Sequence, residues 1–194
     1  MQNGMPTRAP RLLLSFALAL VAFAASAQQA PTSAPNTADG GQHDFEWETG
    51  AWKTHVRRLA KPLSGTGAWV EYDGTTVVRP VLDGRANLVE LRVQGTAGVI
   101  QGTSLRLYQP HARQWSIHYA SMHDGMLTRP LHGSFHDGRG EFHGEEDLDG
   151  RTIFVRFVIT RPTPDTARFE QSYSADGGRT WEVNWVATDT RVAQ

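Results

Sequence analysis

Three histidines and two carboxylates crowd one short stretch of this chain: His132, His136, Glu141, His143 and Glu145. Imidazole and carboxylate groups together make a Zn²⁺ ligand set. If Gly138 and Arg139 are the two turn residues of a hairpin, His136 faces Glu141, Ser134 faces His143 and His132 faces Glu145. Directly opposed side chains share a face of the sheet, with Cβ atoms about 5 Å apart. All five groups then lie on one side, with Phe135 and Phe142 on the other. Their spacing matches no metal signature, and the same pattern describes a solvated outer face behind two core phenylalanines. The reading is therefore no metal, with these five residues as the candidates if there is one.

Arg156 is the second candidate. It interrupts Ile153–Ile159, a run otherwise apolar on both faces. A guanidinium pointing inward there needs a partner, because burying it alone is costly. The strands that follow offer Glu170, Gln171, Tyr173, Glu182 and Asn184. An inward Arg could clamp a ligand carboxylate through a bidentate pair. The alternative is an outward Arg whose stem covers its neighbours. Around it, Trp52, Trp115, Tyr119, Phe157, Trp181 and Trp185 would line or close an interior, with Arg156, Gln171, Tyr173 and Asn184 as the polar contacts. Asp147-Leu148-Asp149-Gly150 begins like a calcium loop, but Arg151 stands at position five and no Glu at twelve, so it is a turn. No nucleophile elbow, zinc-protease helix, phosphate loop or dinucleotide fingerprint is present. The chain has no Cys and hence no thiol nucleophile.

The elements that must position these residues are strands. Asp-Gly occurs at Asp73, Asp83, Asp124, Asp137, Asp149 and Asp176. Between alternating runs this pair is the strongest local hairpin signal, because both residues tolerate positive φ. The runs themselves are Trp52–Arg58, Ala68–Tyr72, Thr75–Leu82, Ala86–Val93, Ser104–Tyr108, Gln114–Ala120, Leu131–Phe135, Glu141–Asp147, Thr152–Thr160, Ala167–Ser174 and Thr180–Thr188. Asp73-Gly74 breaks or bulges the second and third, and Gly95, Gly98 and Gly102 punctuate a loop. In the closing hairpin Trp181, Val183 and Trp185 share a face at period two. Ahead of the strands, Asp44 caps a single helical turn ending at Gly50, with Phe45, Trp47 and Trp52 as a core plug. No segment after Gly50 has sustained helical periodicity. About nine or ten antiparallel strands with short links predict an all-β domain, a closed barrel or a two-layer sandwich; a single up-and-down barrel, whose closure removes its edges, is the architecture expected.

Two stretches resemble an uncharacterised bacterial family of calycin, or lipocalin-like, barrels. Phe45-x-Trp47-x-x-Gly50-x-Trp52 is similar to its F-x-F-x-x-G-x-W opening, with Trp47 where Phe is usual. Asp176-Gly177-Gly178-Arg179-Thr180-Trp181 is similar to its D-G-G-K/R-T-W closing hairpin, and Leu105-x-Leu107-Tyr108 to Gln114-Trp115 is also alike. The resemblance spans roughly His43 to Arg191 and implies a fold without an activity. Haem-binding, nitrobindin-like barrels are related, but Lys53 and Thr54 follow Trp52 where their G-x-W-x-G opening has another Gly. The expected cofactor is therefore none.

Composition bounds the rest. Residues 1–27 read as a secretory signal: Arg8 and Arg11 supply positive charge, Leu12–Phe23 an apolar core, and Ala25-Ser26-Ala27 a cleavage site after Ala27. The core is too short to span a membrane, which leaves no stable anchor after cleavage. Residues 28–42, rich in Pro, Ser, Thr and Gly, read as a disordered linker, and 43–194 as one barrel domain. Losing two Arg and no acid with the signal takes the net charge from −1 to −3, which argues against nucleic acid and anionic lipid as partners. The localisation expected is periplasmic or extracellular, without disulfides. Three functions stay open: a binding barrel for a small apolar or amphiphilic molecule, carboxylate-bearing if Arg156 points in; an enzyme using a cavity Glu or His as general acid or base; and an interaction module with a filled barrel.

Overall fold

The alternating runs become strands, two of them merging into one, and most strands outrun the alternation that marked them. The computed structural model describes residues 40–193. Ten strands follow in order: β1 Gly50–Leu59, β2 Trp69–Val81, β3 Ala86–Gly95, β4 Gly98–Gln109, β5 Gln114–Ser121, β6 Leu131–His136, β7 Arg139–Leu148, β8 Arg151–Thr163, β9 Thr166–Ser174 and β10 Glu182–Arg191. Each pairs antiparallel with the next, and β10 pairs with β1 to close an up-and-down barrel. The expected signal segment and the linker as far as Asp39 lie outside the described residues. The last three linker residues belong to the folded body: the Gly40 carbonyl accepts from the Tyr108 hydroxyl, and the Gly41 carbonyl from Trp115 Nε1 at 2.9 Å.

Asp137-Gly138 and Asp149-Gly150 turn with φ values of 51° and 76°, and of 52° and 74°, as two-residue hairpin turns of the mirror-image type require. Asp73-Gly74 does not. It lies inside an unbroken β2, where a Cβ on Gly74 would sit 2.1 Å from the Arg92 carbonyl oxygen. That Gly serves close approach of two strands, not a turn. Gly102 likewise sits inside β4 rather than in a loop, under the ring of Tyr119.

The short helical turn is a 3₁₀ turn, Glu46–Glu48, and Asp44 does not cap it with its side chain. It closes one end of the barrel. Phe45 meets Trp115 and Phe135 edge-on at 4.9 and 5.0 Å and stacks on Phe142 at 5.9 Å between centroids. Trp52 Nε1 donates to the Glu48 carbonyl at 2.7 Å. Arg191, at the end of β10, binds this plug from the other side. Its guanidinium lies 4.1 Å from the Trp52 ring centroid and donates to the carbonyls of Trp47 and Thr49 at 2.6 and 2.9 Å. The first and last strands and the plug are thus fastened by one planar fork, a geometry an ammonium cannot reproduce. Arg191→Ala is expected to cost about 2 kcal/mol, with Arg191→Lys recovering little of it, as read from urea unfolding followed by tryptophan fluorescence.

Candidate functional site

Alternation sends every second side chain inward, and the longer loops all lie at the end away from the plug. They are 60–68, 122–130 and 175–181, joined by the tight turns after β3 and β7. At that end the barrel holds an open cavity of about 580 Å³. Its walls fall into three levels. A polar layer lies deep, against the plug. An apolar belt of Val89, Leu91, Ile117, Phe157, Phe169 and Ala187 follows. A second polar layer lies near the mouth.

The deep layer joins five side chains. Thr54 Oγ1 donates to Asp189 Oδ1 at 2.5 Å, so the 2.7 Å contact between Thr76 and Thr54 is donated by Thr76. Register explains the meeting: Thr54 opposes Asp189 across β1–β10 and lies two residues from the partner of Thr76 across β1–β2. Beside them Glu48, on the plug, forms a buried ion pair with Arg106 of β4, with a second contact at 3.4 Å. The Arg106 guanidinium also lies 4.2 Å from the Phe45 ring centroid. Burial raises the Asp189 carboxyl to about 6, and the Glu48 charge adds to this; hydrogen bonds from Thr54 and Thr76 and the Arg106 charge act against it.

That shift has a direction in stability. The unfolded carboxyl ionises near 3.8 and the folded one near 6, so the folded state binds the proton more tightly. The stabilising contribution is full below pH 3.8 and is lost as pH rises through 6. Asp189→Asn keeps an acceptor for Thr54 without the charge. It is expected to raise stability above pH 6 by about 2 kcal/mol and to flatten the slope between pH 4 and 6, measured as urea midpoints across pH 4 to 8.

The upper layer is a wall shared by β7, β9 and β10. The Tyr173 hydroxyl donates to Glu146 Oε2 at 3.0 Å, and Gln171 Nε2 donates to Asn184 Oδ1 at 2.8 Å. Asn184 Nδ2 is buried with no partner among the described residues. Burial raises the Glu146 carboxyl, against the lowering effect of Tyr173, and pushes the Tyr173 phenol up with help from the Glu146 charge. Burial also raises the Tyr119 phenol on the opposite wall. Tyr72 lines the same space at 6 % exposure, its hydroxyl unbonded among the described residues. Arg58 sits exposed at the mouth, 6.0 Å from the Trp185 ring centroid.

Of the residues singled out from sequence, Tyr119, Phe157, Gln171, Tyr173, Asn184 and Trp185 all line this cavity. Trp52 and Trp115 do not. They are 1 % exposed and belong to the packed end around the plug. Arg156 and Trp181 are outside the barrel. Ile153, Val155, Phe157 and Ile159 take the inward positions of β8, which sends Arg156 out, its guanidinium 4.6 Å from the Trp181 ring centroid. No inward carboxylate clamp exists at Arg156. Trp181 precedes β10, and a bulge between Val183 and Trp185 reverses the alternation, so Trp185 faces in while Val183 is exposed.

The histidine hairpin also pairs differently. Asp137-Gly138 is the turn, and the opposed pairs are His136 with Arg139, Ser134 with Glu141 and His132 with His143. His132, His136, His143, Glu141 and Glu145 do share the outer face, but Glu141 takes hydrogen bonds at 3.0 Å from both Arg139 and His143. Although burial raises the Glu141 carboxyl, these bonds bring it below its usual value. Among the described residues no three such groups converge on a point that could hold an ion.

Glu48, Arg106, Asp189 and Glu146 were not among the residues expected. Arg106, between Leu105 and Leu107 on β4, faces the cavity and is buried.

No protein-family model matches the chain, and no curated protein does. Solved structures do. The S-type phycobiliprotein lyase CPES from Guillardia theta superposes with a TM-score of 0.58 at 14 % identity, covering 79 % of this chain and 93 % of that one. A de novo designed fluorescence-activating β-barrel gives 0.42 at 13 % identity, covering 77 % and 98 %. The shared feature is the fold, a closed up-and-down β-barrel of antiparallel strands. At such identity the lyase speaks for the fold alone, and its activity is not carried over.

Proposed function

We propose that this chain is an exported, lipocalin-like binding protein for one small apolar or amphiphilic molecule. The observation that carries the reading is the cavity itself: about 580 Å³, open at one end of a closed barrel and belted with apolar side chains. Ligand sites of this kind are mostly apolar with a few placed polar groups, in a volume of roughly 300–1,000 Å³. A barrel filled by its own side chains would have no such space, and this argues against the filled interaction module. Export rests on the sequence of residues 1–27, and kinship with the motif family on the opening and closing motifs.

Native mass spectrometry of the full chain expressed with its signal, set beside a Nile red titration, tests the reading. A co-purifying mass or a saturable, displaceable rise in dye fluorescence supports it. Protein that carries no mass and takes up no dye overturns it. One observation favours the second reading, an enzyme: two cavity carboxyls, Glu146 and Asp189, ionise above their ordinary values, as a general acid requires. A product that forms with wild type and not with Glu146→Gln, at equal binding, would mark that case.

A further inference from the structure

The interior carries its charge unevenly. Glu48 and Arg106 cancel within one buried pair. Of the other carboxyls that line the cavity, Asp124 is exposed at the mouth; Asp189 at the floor and Glu146 nearer the mouth are more enclosed, and neither of these two is in an ion pair among the described residues. Asp189 is already held by Thr54. Glu146 accepts a single bond, from Tyr173, and its side chain lines the cavity. A partly buried carboxylate is stabilised by a cation and by donors, and here the protein supplies one phenol and no cation. Four aromatic side chains line the same cavity: Tyr72, Tyr119, Tyr173 and Trp185. Their π faces attract a cation. The Tyr72 hydroxyl, unbonded among the described residues, offers a lone pair to an N–H donor in the same cavity. Below lies the apolar belt, so a molecule held by its head at Glu146 lays its tail on Leu91, Ile117, Phe157 and Phe169. Of the arginines that line the cavity, Arg106 is paired with Glu48 and Arg168 with Glu170, and Arg58 is exposed at the rim and solvated, so its repulsion is screened.

We infer that the cavity takes an amphiphile with a cationic amine head, the ammonium seated on Glu146 beside Tyr173 and the tail directed inward. This rests on the binding reading above and names its ligand class. It also reverses the carboxylate class expected from an inward Arg156.

Three probes of one chain length separate the possibilities: decylamine, decanol and decanoate, titrated into the full chain at neutral pH by calorimetry. The amine is expected to bind about tenfold or more tighter than the other two, as a charge-assisted hydrogen bond allows. Glu146→Gln should reduce it to the affinity of the alcohol, with circular dichroism confirming the fold. Decanoate binding as tightly as the amine, through Arg58, overturns the inference and leaves the binding reading intact. Equal affinity of all three does the same. An amine preference that survives Glu146→Gln and disappears in Asp189→Asn moves the head to the floor and overturns the assignment to Glu146. If none of the three binds, the inference is overturned, and the binding reading falls with it only where Nile red is not taken up either.

Discussion

Arg106→Ala is expected to destabilise the barrel by about 3–5 kcal/mol, because it removes one partner of a buried ion pair and leaves Glu48 as an uncompensated charge. The side chains are 7 % and 10 % exposed, so water cannot take over the role of the lost partner. The guanidinium also packs against Phe45, and its loss leaves a gap beside the plug. Two further variants separate charge from packing. Glu48→Gln with Arg106 intact strands the opposite charge and should cost nearly as much. Glu48→Leu with Arg106→Met replaces the pair by apolar groups of similar volume and should cost far less than either single change, since buried pairs often contribute little net stability. Chemical unfolding of the four proteins measures this. A double variant as damaged as Arg106→Ala would mean that the pair holds the plug in place through its geometry and not its charge balance.

The same pair shows where sequence patterning stops being informative. Strand existence was legible because alternation and Asp-Gly turns act locally: the hairpins at Asp137-Gly138 and Asp149-Gly150 need nothing beyond their own φ values. Direction was legible only where one face was polar. In β8 both faces are apolar, since Val158 is buried on the outside as Ile159 is on the inside, so period two cannot say which way Arg156 points. In β10 one extra residue at the bulge reverses the alternation, and Trp181 and Trp185 part company. In β4 Arg106 points inward because it finds Glu48 on the plug, a partner 58 positions away. Inward charges in a barrel are decided by such distant partners. Part of the wall was therefore within reach of sequence reasoning, namely Gln171, Tyr173, Asn184, Trp185, Tyr119 and Phe157, while the charged groups that give the cavity its chemistry were not.

Ser104→Trp is expected to abolish binding of decylamine, lowering its affinity about a hundredfold, equivalent to about 2.7 kcal/mol. Ser104 stands between Gly102 and Arg106 on the inward face of β4, opposite Val89 and Tyr119, where a small side chain leaves the apolar belt open. An indole there projects into the space the tail would occupy. Overpacking a filled core destabilises, but this position faces a void, so the thermal midpoint should hold or rise while binding disappears. That separation distinguishes occupancy of the cavity from attachment elsewhere. The exposed Met122, Met126 and Leu127 at the mouth offer an apolar patch on which an amphiphile could also adsorb. A molecule adsorbed on that loop would keep its affinity in Ser104→Trp and lose it when Met126 and Leu127 are made polar. A molecule inside the barrel would show the reverse, with Glu146→Gln then reporting on its head and Ser104→Trp on its tail.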